Sequence, residues 1–294
     1  MMEIRTLEYF LMVAKEENIT HAANQLHIAQ PSLSRALMQL EEEMGQQLFI
    51  RGKRKVTLTQ AGVLFKRRAE EIMNLVDKTQ QEMRNDMELN GEIYIGIGEF
   101  YATDVFLPEL ITSFSQKYPQ VSYHFYSGNA DSIKERIDHG TLDIGILLEP
   151  VEVDKYDFIR LPYNETWGLI TSKDNSISSK EYVTSKDLIN IPLTWPERLA
   201  IQNELISWFL DDYQHINFIA TTNAMTNMIP LIKNNICSGI NNEGAFVNHS
   251  MEHICFISLY PKLTTSTVLV WKKNQILSPL LQHFINDVYH VLKL

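Results

Sequence analysis

The sequence predicts an α/β fold led by an all-α segment that carries a short hairpin. Three observations predict it. Apolar residues recur at helical spacing through the first 90 residues, interrupted by one Gly-centred basic turn. After Gly91, strand-length apolar runs alternate with helix-length stretches. A length of 294 residues with 45% hydrophobic content is enough for more than one buried core.

Charge is unevenly spread. The formal net charge is −10, yet residues 1–90 hold 12 Lys+Arg against 13 Asp+Glu, leaving 14 against 23 for the rest. Basic residues cluster locally as "RGKRK" (51–55) and "KRR" (66–68). Phosphates respond to such a patch within a Debye length, so the total does not exclude nucleic acid. No apolar run reaches membrane-spanning length, and "MMEIRTLEYF" lacks an export-signal layout, so no membrane partner and a cytoplasmic protein are expected. Two cysteines, Cys237 and Cys255, are too few for a disulfide framework.

Leu7, Phe10, Leu11 and Ala14 define a first helix, ended by Glu16, Glu17 and Asn18. Thr20 is a candidate N-cap for a short second helix, "HAANQL". "HIA" reads as a turn, and Pro31 as the first residue of a third helix, where its missing N–H is harmless. Leu33, Leu37, Leu40 and Met44 form that helix's inward stripe, so Pro31 and Arg35 point outward with Ser32 and Ser34 on the flanks. A helix entering a major groove does so with its N-terminal turns, which puts Gln30, Pro31, Ser34 and Arg35 within reach of bases and phosphates. Glu41, Glu42 and Glu43 lie toward the other end, where they oppose the helix dipole and call for a partner such as Arg51 or Arg54.

"QQLFIRGKRKVTLTQAG" predicts a hairpin that makes this a winged helix-turn-helix, with Lys53 and Arg54 at the wing tip. Thr59 then caps a long helix in which Phe65, Ala69, Ile72, Val76, Thr79 and Met83 follow heptad spacing, a stripe suited to pairing two chains.

Beyond Gly91, strands "EIYIGIG", "VSYHFYS" and "LDIGILL" alternate with helices at 105–117 and 130–139, a βαβαβ unit with a parallel sheet. "TWGLITS", "IPLTW", "INFIA" and "ICSGIN" form a second set, with helices near 197–211 and 224–234. "ICFISLY", "STVLVWK" and a helix from Ser278 and Pro279 finish the chain. The count fits two lobes with a cleft between them. Ligands in such sheets sit beyond the carboxyl ends of the strands, which singles out Glu99, Phe100, Tyr101, Thr103, Gly128, Asn129, Ala130, Leu148, Thr194 and Trp195.

The stretch 6–62, with "AANQL", "QPSLSR", "LEEEMG", "LFIR" and "LTQAG", resembles the LysR-type transcriptional regulators, and the likeness extends more weakly through "LPELITSFSQKYPQVSYHF" and "GTLDIGIL". The resemblance implies a winged helix-turn-helix over 1–58, a linker and dimerisation helix over 59–90, and a periplasmic-binding-protein-like effector domain over 91–294. Within that domain, lobe one is 91–163 with 268–294 and lobe two is 164–267. It implies DNA contacts from Thr20, Gln30, Pro31, Ser32, Ser34, Arg35, Arg51, Lys53 and Arg54. The implied partners are an operator with dyad symmetry, a small-molecule effector of the organic-acid or amino-acid class, a second copy of the chain with further assembly to a tetramer, and RNA polymerase. No cofactor is implied. Two stretches depart from the family pattern: "NNICSGINN" (234–242) replaces a Gly-rich turn, and "EFYAT" (99–103) puts an acid and two aromatics where small or hydroxyl residues are common. Glu99 in the cleft argues against a plain dianion as effector, unless its side chain turns away, and favours a ligand with a cationic group as second choice.

Rival readings are weaker. "GIGEFY" has Tyr101 where a dinucleotide fingerprint needs its third glycine. His249, His253 and Cys255 lack a fourth ligand, so surface histidines and a core cysteine are expected and no metal. No basic cluster flanks either cysteine, which favours buried structural thiols over a redox pair. "KRR" reads as a solvated helix face at least as well as a phosphate contact. No G-x-S-x-G, H-E-x-x-H or P-loop marks an enzyme. The remaining competitor is a small-molecule binding protein whose N-terminal helices only oligomerise it, distinguishable by retention on heparin or DNA.

Overall fold

A computed structural model describes residues 2–52, 55–82, 90–152, 154–247 and 252–293. The chain forms two compact units, Met1–Asn85 and Asp86–Leu294.

The first unit runs α1 (Ile4–Glu16), α2 (Ile19–Gln25), α3 (Gln30–Met44), β1 (Phe49–Arg51), β2 (Val56–Leu58) and α4 (Gln60–Glu82). Leu7, Phe10 and Val13 of α1 meet Ala22 and Ala23 of α2 and Leu33, Leu37 and Leu40 of α3 in one dry core. Met44, expected on the inward stripe, is exposed, because the helix has outrun the core by its last turn. The cap of α2 is Asn18, whose side chain accepts from Thr20 N and His21 N at 2.9 and 3.1 Å. Thr20, expected in that role, is instead an exposed residue inside the helix. Pro31 follows Gln30 as the second residue of α3, still within the turn whose N–H groups have no helical partner. β1 and β2 pair antiparallel from Phe49↔Leu58 to Arg51↔Val56, and the wing tip with Lys53 and Arg54 lies outside the described residues. Thr59 caps α4 by accepting from Gly62 N at 2.9 Å and donates to Gln47 O at 2.7 Å. A Cβ at Gly62 would stand 2.0 Å from Leu48 O, so only glycine lets α4 start this close to the wing.

The second unit opens with β3 (Gly91–Ile97), α5 (Tyr101–Lys117), β4 (Val121–Ser127), α6 (Ala130–Asp138) and β5 (Ile144–Leu148). β3 pairs parallel with both β4 and β5, as the alternating pattern requires. β6 (Tyr156–Ser172) then runs the length of the domain, beginning ten residues before the expected strand. Pro162 and the charges of "YDFIRLPYNE" hide it. They are tolerated where β6 faces the register shift of β12 (Thr264–Lys272) between Ser266 and Val268. Thereafter come β7 (Tyr182–Val183), β8 (Leu193–Pro196), α7 (Leu199–Phe209), β9 (Phe218–Thr222), α8 (Ile229–Lys233), β10 (Ser238–Asn242), α9 (Gly244–Val247) and β11 (Ile254–Leu259), all before β12, with α10 (Pro279–Leu292) last. The helix expected at 224–234 is reduced to α8, preceded by a single turn at Met225–Asn227.

The first half of β6 pairs with β12 and belongs to the lobe of β3, β4 and β5. Its second half pairs with β10 and β11 and belongs to the lobe of β8 and β9. Two antiparallel strands therefore pass between the lobes. α10 returns to the first lobe, where Phe284 packs edge-on against Phe114 of α5 at 4.9 Å and Asp287 pairs with Lys117.

Candidate functional site

Two surfaces carry the polar chemistry. On the first unit, Gln30, Pro31, Ser32 and Arg35 are exposed at the start of α3, and Ser34 is half-buried beside them. Arg35 makes no ion pair among the described residues. The glutamates at the other end of α3 do not share one fate. Glu41 accepts from Leu48 N at 2.8 Å, Phe49 N at 3.0 Å and the Arg51 guanidinium at 3.1 Å, so it binds the wing to the helix. Arg51 thus supplies the expected partner, and its charge is already engaged. The "KRR" run pairs along α4: Lys66 with Glu70, and Arg67 and Arg68 with Glu71.

The proposed heptad stripe on α4 divides. Phe65 and Ala69 face inward, Phe65 standing edge-on to Phe10 at 4.8 Å and Ala69 fully buried. Ala69 is a core residue of this unit and is not free to pair with a second chain, while Phe65 is half-buried against the core. Ile72 and Thr79 are exposed, Val76 is half-buried, and Met83 lies outside the described residues. Leu64 and Leu75, at 58% and 47% exposure, are apolar residues that the heptad reading missed.

On the second unit a cavity of about 70 Å³ lies between the lobes. Gly98, Glu99, Phe100, Gly128, Asn129, Ala130 and Leu148 line it from the first lobe, at the carboxyl ends of β3, β4 and β5. Trp167, Pro196, Arg198, Thr222, Asn241 and Asn242 line it from the second. Four of the expected residues are elsewhere. Tyr101 and Thr103, read as loop, belong to the first turn of α5: Tyr101 is exposed against Tyr163, and the Thr103 hydroxyl donates to Gly98 O at 3.1 Å. Thr194 and Trp195 are core residues of the second lobe. Thr194 is fully buried, and Trp195 stacks on Phe218 at 3.9 Å.

Side chains reach across the cleft at three points. Glu99 accepts from Met225 N at 2.7 Å and from the Thr226 hydroxyl at 2.5 Å. Asn129, which caps α6 by accepting from Ser132 N, donates its amide to Glu197 at 2.6 Å. Arg198 donates to Leu148 O at 3.0 Å and Pro150 O at 2.7 Å. Burial lowers the Arg198 pKa, opposed by the nearby Asp131, Glu204 and Glu152 carboxylates. Sequence reasoning missed Arg198, since one arginine at a helix start has no periodic signature. The Asn241, Asn242 pair did stand out as a departure. Asn241 Oδ1 accepts from Asn242 N at 2.8 Å, and Asn242 Oδ1 accepts from Ala245 N at 3.0 Å, so the pair shapes the strand end and caps α9. Asn235 takes the left-handed conformation (φ 54°), which asparagine adopts more readily than most residues.

Behind the cavity, where β6 crosses between lobes, Glu165 is buried and accepts from Ala102 N of α5 and Gly244 N of α9, each at 3.3 Å. Burial pushes its carboxyl up to about 7, against the lowering effect of those N–H groups. A Cβ at Gly244 would lie 2.0 Å from Tyr101 N, so glycine is what lets the two helix starts meet there. Burial also raises both thiols, Cys237 and Cys255, leaving little thiolate at neutral pH. Among the described residues no three His, Cys, Asp or Glu side chains group as a metal site, and His249 lies outside them. No helix among them is long and apolar enough to cross a membrane.

A winged helix-turn-helix with an exposed recognition helix, on one chain with a two-lobed α/β domain enclosing a cavity, defines a DNA-binding regulator with its own substrate-binding domain. Comparison with known proteins agrees. Residues 4–63 match the family described as bacterial regulatory helix-turn-helix protein, lysR family, and residues 87–292 match the LysR substrate binding domain. The Hca operon transcriptional activator HcaR of Escherichia coli (strain K12) is 27% identical over 97% of this chain and 96% of that one. The HTH-type transcriptional regulator BudR of Raoultella terrigena is 30% identical over 68% of this chain and 69% of its own. The crystal structure of CbnR, a LysR family transcriptional regulator, shares the fold at a TM-score of 0.71, with 22% identity over 99% of both chains. The chain belongs to the LysR family of transcriptional regulators. The rival in which the N-terminal helices only oligomerise a binding protein is set aside by the match to the helix-turn-helix family.

Proposed function

We propose that this regulator reads an operator with dyad symmetry through α3, as a homodimer that pairs again into a tetramer, and that a small-molecule effector entering the interlobe cleft sets its activity. The observation that carries the reading is the exposed start of α3 on a domain whose wing is fixed to that helix by Glu41. Gln30, Pro31, Ser34 and Arg35 address bases, Thr20 and Ser32 address phosphates, and the wing tip with Lys53 and Arg54 follows the backbone. Residues 1–58 read DNA, 59–90 join the chains, and 91–294 take the effector. The protein is not an enzyme. It works in the cytoplasm, on DNA and beside RNA polymerase.

Arg35→Ala tests the reading. It is expected to cost about 1–3 kcal/mol at the specific site while sparing most non-specific binding. Binding titrations on operator and on random duplex check it, and equal weakening of both would overturn the base-reading role.

A further inference from the structure

Resting on the effector cleft proposed above, we infer that its ligand is a compact molecule carrying a cationic nitrogen beside an acceptor oxygen, as in the head group of an amino acid, rather than a simple carboxylate. The charges around the cavity decide this. Glu99 lines it, and its partners are neutral: two backbone N–H groups and the Thr226 hydroxyl. No cation among the described residues pairs with it. Several donors that could hold a ligand carboxylate are already occupied. Met225 N and Thr226 serve Glu99, the Asn129 amide serves Glu197, and the Thr103 hydroxyl serves Gly98 O.

Arg198, the cation lining the cavity, has its charge offset by Asp131, Glu204 and Glu152. A ligand carboxylate beside Glu99 would add a like charge in a partly dry site, whereas a cationic nitrogen would meet an uncompensated acceptor. The second requirement comes from Arg198 itself. Its side chain is more than nine-tenths buried, and its Nε has no hydrogen-bond partner, the Asp131 carboxylate standing at 3.6 Å. A buried donor of this kind is completed by an acceptor oxygen. Phe100, Leu148, Trp167 and Ile201 supply apolar walls.

The test uses three probes that differ only by deletion: valine, isobutylamine without the carboxylate, and 3-methylbutanoate without the ammonium. Thermal shift of the full chain is measured over a concentration series, because a ligand bound only to the folded state raises the midpoint. Valine is expected to bind tightest, and the amine about tenfold tighter than the acid, the equivalent of one pKa unit of charge preference. Glu99→Gln should erase the advantage of the amine over the acid. The largest shift with 3-methylbutanoate, or no shift with any probe, overturns the inference. So does an unchanged amine preference in Glu99→Gln. Retention of the same preparation on operator DNA is scored separately: DNA binding with the wrong ligand order sinks the ligand class alone, and absence of DNA binding sinks the regulator reading.

Discussion

Glu165 sits in an environment far from that of a free side chain. It is 1% exposed, carries no cation against it, and sits with Asp104 nearby to raise its pKa further. A carboxyl whose folded pKa stands at about 7, above an ordinary 4.5, binds more protons folded than unfolded between those values. Its contribution to stability is therefore present in full below about 4.5 and is lost as pH rises through 7. Glu165→Gln removes that titration. The stability difference between native protein and variant should change, in favour of the variant, by on the order of 3 kcal/mol from pH 4.5 to pH 8. Urea unfolding followed by tryptophan fluorescence measures it, since all four tryptophans, Trp167, Trp195, Trp208 and Trp271, lie in the second unit. Parallel stability curves for the two proteins would show that Glu165 does not titrate in this range. None of this was legible in sequence. One glutamate in "YNETW" becomes unusual only when two glycine-permitted helix starts converge on it. Thr194 and Trp195 failed for the opposite reason: the end of a strand looks the same whether its side chains meet a cavity or a core.

At the scale of elements, the short contacts that hold one piece to the next do the specifying. The wing has three residues per strand, too few to be stable alone, and Glu41 supplies the attachment through two backbone N–H groups and Arg51. Glu41→Ala leaves the N–H groups of Leu48 and Phe49 without that acceptor in a part-buried place, and is expected to destabilise the first unit by about 1–3 kcal/mol. Far-UV circular dichroism should show an earlier helical transition in denaturant while the tryptophan signal, confined to the second unit, keeps its midpoint. A loss shared equally by both signals would mean that Glu41 does not act locally. Elements with strong periodicity, α1, α3, β4 and α10, were readable because their apolar positions repeat on one face. β6 was not, because its first half carries Pro162 and alternating charges that only its bulged pairing with β12 accommodates. The start of α5 was hidden for a related reason: "EFYAT" has no apolar period of its own, and its helical state is set by Glu165 capping it from another strand.

For the whole molecule, the proposed assembly into a dimer would depend on what α4 leaves uncovered. One face of its first turns is consumed by the core of the first unit, since Ala69 is 1% exposed and Phe65 packs on Phe10. What remains among the described residues is Val63, Leu64, Ile72 and Leu75, with exposures of 59%, 58%, 38% and 47%. At 100° per residue, Leu64 and Leu75 share a line down the helix with Ile72 at its flank, interrupted by the Arg68 and Glu71 ion pair at 2.7 Å. Three apolar side chains with a charged pair between them form a modest seam, which a second copy of the same helix, running antiparallel, would cover symmetrically. Leu75→Asp should bury an unpaired charge in that seam at a cost of several kcal/mol, enough to give monomers at micromolar concentration. Ala69→Asp should act differently, because its charge falls inside the first unit and unfolds that unit whether or not a partner is present. Sedimentation velocity together with circular dichroism separates the two: Leu75→Asp is expected to be monomeric with native helix content, and Ala69→Asp to lose helix signal. A Leu75→Asp protein that sediments as a dimer would place the chain-to-chain contact away from α4.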